Sequence, residues 1–228
     1  MSRFPPLLRL FCCYTRWIEY TLYIFNFNVD KTLLLIQCVR VYYDIINAMK
    51  IILTLHTSTE WDLAGRIKGW TDIGLSSQGQ TEAQELAKSL VDLGIDFIAC
   101  SDLKRASQTA EIINTLLKVP LQLNKGLCEC SFGKIEGLTI EQVIKQYGQS
   151  TVENFNGRYE AYDFRPFGGE NRNDVFTRHI EVIKSISKNN PDKTLLIVGH
   201  ELGIFTLLKG LGYESDLKHG EYKIIEYN

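Results

Sequence analysis

The sequence is short of the features that most quickly narrow a protein's class. Its six cysteines, at positions 12, 13, 38, 100, 128 and 130, include no C-x-x-C pair and no histidine at zinc-ligand spacing, so neither a structural zinc module nor a disulfide framework is expected. They read as reduced thiols of a cytosolic protein. An excess of one charge is missing too: 25 Lys and Arg against 27 Asp and Glu leave a net charge of −2, and nothing suggests a nucleic-acid partner.

Residues 1–48 contain no glycine at all and sustain no helical period, although they are rich in Phe, Tyr, Leu and Cys. A signal peptide is disfavoured, because Arg9 and Arg16 interrupt the apolar part and no small-residue cleavage site follows. A membrane span needs about 20 apolar residues, and Arg16, Glu19, Asp30 and Lys31 leave only the shorter run Tyr20 to Val29. The preferred reading is that a domain opens at Met49 and spans 49–228, with residues 1–48 an N-terminal extension arising from over-extended translation. An interfacial anchor is the second reading.

What is present after Met49 is ordinary globular material with a regular pattern. The whole chain is 45% hydrophobic and 23% charged, enough to bury a full core. Apolar strands alternate with amphipathic helices, which predicts a three-layer α/β/α sandwich. Ile51–Leu55 is β-rich and almost wholly apolar, as a strand covered on both faces must be, and it stops at His56. Thr194–Gly199 repeats the pattern and stops at His200. In open α/β sheets the ligand crevice lies beyond the carboxyl ends of the strands, so these two histidines are candidate site residues. Between them, Ser77–Gln80 reads as a capping box ahead of Ala83, Leu86, Ala87 and Leu90. Ile95–Cys100 is the next strand, and Ser101 can cap a helix whose apolar face is Leu103, Ala106, Ala110, Ile113 and Leu117. Thr139–Gln142 is a further capping box. The stretch Gly148–Arg172 lacks periodicity and reads as a long binding loop. Val175–Ile186 reads as a helix, a helix closed by Gly212 follows His200, and Glu221–Tyr227 reads as an edge strand.

The segment LHTSTEWDLAGRIKGWTDIGLSSQGQTEA resembles the opening signature of the histidine phosphatase superfamily, the phosphoglycerate mutase-like proteins. The likeness continues in order through SDLKRASQTAEII, LCECSFGKIEG, FGGEN and VGHELGIF. It implies a phosphoglycerate mutase-like fold and a phosphohistidine mechanism. On that implication His56 is the nucleophile, Arg105 holds the transferring phosphoryl group, and Glu129 is the general acid and base. His200 stabilises the phosphoryl oxygens, and Ser58 and Asp62 belong to the phosphate-binding set. No metal and no cofactor are implied. The implied partner is a small phosphorylated metabolite met in the cytoplasm, with neither nucleic acid nor membrane; monomer and dimer are equally compatible.

Three positions depart from the family's pattern. Leu55 stands where the family has Arg before the nucleophile, Thr57 where it has Gly, and Asp62 where it usually has Asn. The pocket is thereby expected to be two charges more negative. Compensation is expected from Arg66, if a helix brings it onto Asp62, or from Arg158 or Arg165 in the aromatic loop. The compact length of residues 49–228 implies a phosphomonoesterase of the α-ribazole-phosphatase-like or broad-specificity type. The alternatives are a cofactor-dependent phosphoglycerate mutase and a catalytically impaired pseudo-enzyme that binds a phosphorylated ligand or partner.

Overall fold

The computed structural model describes residues 48–153, 161–214 and 216–227, so the expectations for the N-terminal extension fall outside the described residues apart from Ala48. Five strands form one sheet: β1 (Met49–Leu55), β2 (Phe97–Cys100), β3 (Leu121–Leu123), β4 (Thr194–Gly199) and β5 (Tyr222–Tyr227). Their spatial order is β3-β2-β4-β1-β5. The first four run parallel, and β5 pairs antiparallel with β1 at the edge.

Burial explains why the central strands are so apolar. The side chains of Met49, Ile51, Leu53 and Leu55 point to one face, where they join Leu195 and Ile197 in a core with Val182, Ile183, Ile204, Leu207 and Leu208. Those partners come from two helices, α5 (Arg172–Asn189) and α6 (Glu201–Gly210). Ile52, Ile98, Leu196 and Val198 point the other way, onto Leu86, Leu90, Ala106 and Ile113. These belong to α2 (Ser77–Leu90) and α3 (Lys104–Leu117). A strand covered on both faces cannot alternate polar with apolar. The result is the expected three-layer sandwich, with a satellite cluster of Phe132, Ile135, Val143, Phe164 and Val175 beside it.

Helix starts differ from the expectations in instructive ways. The cap of α2 is Ser76 rather than Ser77, its hydroxyl accepting from the Gly79 N–H at 3.0 Å. Ser101 does not cap α3 directly; its hydroxyl accepts from Leu103 N–H at 3.2 Å, and the helix opens at Lys104. Thr139 and Gln142 do form a capping box at the start of α4 (Ile140–Tyr147). For α5 the box is Asn171 with Asp174, which extends the helix to Arg172–Asn189, beyond Val175–Ile186 on both sides. The stretch from Gly148 is not one open loop where it is described. Gln149–Val152 and Arg165–Phe167 are 3-10 turns, and Asp163 bridges to Asn171.

Candidate active site

The sheet's register brings His56 and His200 together. Leu55 pairs with Gly199 on adjacent parallel strands, so the next residue of each strand leaves the sheet at the same level. The His56 N–H still donates to Gly199 O at 2.9 Å, and the two rings lie 5.2 Å apart between centroids. That separation is close to the 4.7–4.9 Å between neighbouring strands, as in-register pairing requires.

His56 is buried, and its Nδ1 lies 2.8 Å from Thr57 O. A carbonyl can only accept, so Nδ1 carries the proton and Nε2 keeps the lone pair. Burial first, then the Arg105 charge and His219, hold this imidazole well below the ordinary histidine value. His200 is also buried and held well below it, again by burial first and then by Arg105. Neither of its ring nitrogens has a hydrogen-bond partner among the described residues.

Arg105 sits in the first turn of α3 and is fully buried. Its two terminal nitrogens donate to Thr71 O at 3.0 Å and Gly69 O at 2.7 Å, while its Nε has no partner among the described residues. Burial lowers its pKa, and Glu129 is the largest influence in the other direction. Unpartnered buried nitrogens cost about 1–3 kcal/mol each. Two on His200 and one on Arg105 are grouped around the His56 imidazole, an arrangement able to receive an oxyanion.

Glu129 arrives from the chain after β3. Its Oε1 accepts from Cys130 N–H at 2.8 Å and Gly203 N–H at 3.1 Å, and its Oε2 accepts from Leu202 N–H at 3.3 Å. Burial raises its pKa, against the amide donors and Arg105. Its backbone is pinned as well, since Arg178 Nη2 and Trp70 Nε1 donate to Glu129 O at 2.8 and 2.6 Å.

Among the remaining candidates, those that the structure describes have partners of their own. Asp62 completes the capping box of the short helix α1 (Glu60–Leu63), accepting from Thr59 N–H and Oγ1 at 2.8 Å each. It also pairs with Lys68. Burial raises its carboxyl, but Lys68 and Thr59 outweigh that and bring it to about 2. A carboxylate so engaged holds the loop and has no proton to offer a phosphate. Arg66 is not its neutraliser: α1 ends before it, and the guanidinium donates to Gly137 O at 2.6 Å. Arg165 is exposed and paired with Asp163 at 2.6 Å, and Arg158 lies outside the described residues. Ser58 donates its N–H to the Glu82 carboxylate at 3.0 Å. Leu55 is in the core, and Thr57 fits because its hydroxyl donates to Gly79 O at 2.8 Å.

Two residues near His56 went unread in the sequence. Lys68 is one, and only the turn after α1 brings it to Asp62. His219 is the other, its ring centroid 5.1 Å from that of His56. Among the described residues no three His, Cys, Asp or Glu side chains are grouped to hold a metal, and no helix is long and apolar enough to cross a membrane.

The pattern of the histidine phosphatase superfamily, branch 1, matches residues 51–223. The chain belongs to that superfamily. It is 33% identical over 156 residues to the uncharacterized phosphatase PhoE of Bacillus subtilis, covering 68% of this chain and 74% of that protein. It is 30% identical over 199 residues to the 2,3-bisphosphoglycerate-dependent phosphoglycerate mutase of Bartonella bacilliformis, covering 78% and 92%. Among solved structures, YhfR of Bacillus stearothermophilus superposes with a TM-score of 0.70 at 28% identity, over 79% of this chain and 92% of that one.

Proposed function

We propose that this protein hydrolyses a small phosphorylated metabolite through a phosphohistidine at His56. The observation that carries the reading is the tautomer: with Nδ1–H donated to Thr57 O, the Nε2 lone pair is free to attack. In the first half-reaction a bond forms from Nε2 to phosphorus and the ester P–O bond breaks. Glu129, protonated in a buried setting that favours the neutral acid, gives its proton to the leaving oxygen, which departs as an alcohol. Arg105 and His200 share the charge on the non-bridging oxygens. In the second half-reaction the Glu129 carboxylate takes a proton from water as its oxygen attacks phosphorus. The P–N bond breaks, and phosphate and neutral His56 are regenerated.

The substrate class that fits is a phosphomonoester of the α-ribazole-phosphatase-like or broad-specificity kind, acted on in the cytoplasm. A mutase reading is supported by the Bartonella relative. A mutase must return the phosphoryl group to an acceptor and keep water out. The full chain given p-nitrophenyl phosphate should release inorganic phosphate, and His56→Ala should abolish that release. Given 3-phosphoglycerate with catalytic 2,3-bisphosphoglycerate, it should not form 2-phosphoglycerate faster than it liberates phosphate; the reverse ranking would favour the mutase. No reaction with either would favour the pseudo-enzyme.

A further inference from the structure

His56 is flanked by two imidazoles, not one. His200 lies on the sheet side and is fully buried, whereas His219 is half-buried and comes from the chain between α6 and β5. Its backbone is a tight turn. Glu221 N–H donates to Lys218 O at 3.1 Å, and Gly220 has φ +79° at the third position, where a side chain would be strained. The turn is closed a second time by Lys218 N–H on the Glu221 carboxylate at 3.1 Å. It is tied to the nucleophile's own strand, because Thr54 Oγ1 donates to Glu221 O at 2.8 Å and Tyr222 pairs with Thr54. A turn so braced holds its second residue, His219, in one place.

That place is beside the nucleophile: the His219 and His56 rings lie 5.1 Å apart at 56°. The ring nitrogens of His219 make no hydrogen bond to any described residue. A half-buried imidazole on a rigid turn, unbonded and within reach of a group held at His56, has an N–H to donate in either charge state.

We propose that His219 is a third imidazole of the phosphoryl site, donating to a non-bridging oxygen of the substrate phosphate from the solvent side. It adds to Arg105 and His200, which grip the group from within, and it supplies at the mouth a donor that Leu55 does not. The inference rests on the phosphate-binding side of the proposed function and is tested without turnover.

Orthophosphate binding to the full chain is measured by titration calorimetry for the wild type, His219→Ala and His219→Gln, with melting curves for each. The expected result is at least about tenfold weaker binding for His219→Ala, the effect of one charge-assisted hydrogen bond. Partial recovery is expected in His219→Gln, whose amide keeps a donor, with melting temperatures unchanged. Equal binding by His219→Ala and the wild type overturns the proposal, as does equal loss in both variants with early melting, which would make the residue structural. No binding to the wild type overturns it too. Binding that depends on His219 in a protein that fails to hydrolyse p-nitrophenyl phosphate supports this inference while sinking the hydrolase reading.

Discussion

Lys68 pairs with Asp62, and through that pair the carboxylate in the loop after His56 is neutralised. The charge imbalance expected from Asp62 is thus cancelled locally by a residue six positions downstream, not by Arg66. Both side chains are mostly buried, so the pair is poorly screened.

Removing the cation alone should therefore be worse than removing both charges. Lys68→Ala leaves a buried carboxylate near the phosphate site, and KM for a phosphomonoester should rise about tenfold. Adding Asp62→Asn should recover most of that loss. Steady-state kinetics over the double-mutant cycle check this; a double variant as impaired as Lys68→Ala would contradict it.

Gly79 is where α2 crosses the loop that follows His56. A Cβ there would collide with the Ser58 carbonyl, and Thr57 Oγ1 donates to Gly79 O in the same contact. Gly79→Ala should destabilise the protein by about 1–3 kcal/mol and displace His56. Urea denaturation measures the first effect and kcat the second. Gly94→Ala is the control: Gly94 has φ +67° but open space around it, so its cost comes from backbone strain alone, without loss of kcat.

Much of this architecture was legible in the chain because the physics is local. The runs ending at His56 and His200 are apolar since both sheet faces are covered, and that pattern survives in one dimension. β3 was not legible: three residues, LQL, with none fully buried leave no periodicity to read. The site divided the same way. His56, His200, Arg105 and Glu129 sit at ends of elements with clear signals, and the structure draws them together. Arg66 and Lys68 differ by two positions, and the choice between them depended on α1 stopping after one turn. His219 carried only the turn signature KHGE, whose meaning depends on β5 lying beside β1.

Acid should weaken the fold. His56, His179 and His200 are all buried and held below the ordinary histidine value, and His179 is brought to about 3 by burial first and then Arg178. The unfolded chain takes up these protons near pH 6.5. From there down to about 3 the unfolded state holds more protons, so stability rises with pH in that window and is lost as pH falls. Glu129, raised by burial, acts in the opposite direction, while Asp62, held down by Lys68 and Thr59, acts with the histidines. Urea midpoints between pH 4.5 and 6.5 should climb with pH, and His179→Gln should remove about one proton from the slope. A flat profile would contradict this.

Arg178 braces Glu129, the proposed general acid, from behind. It donates to the carbonyls of Cys128 at 2.5 Å and Glu129 at 2.8 Å while pairing with Glu170 at 2.9 Å. Arg178→Ala should cut kcat by at least about tenfold with little change in KM, since a displaced acid slows leaving-group departure without weakening phosphate binding. A loss confined to KM would assign Arg178 to binding instead.

The most direct measurement is rapid-quench labelling of the full chain with a 32P-phosphomonoester, followed by locating the label and its ring nitrogen. The account predicts an acid-labile, base-stable phosphoryl group on His56 Nε2 that forms and decays fast enough to support turnover and is absent from His56→Ala. Label on another residue, label on His56 Nδ1, or hydrolysis with no labelled enzyme at any time would contradict it.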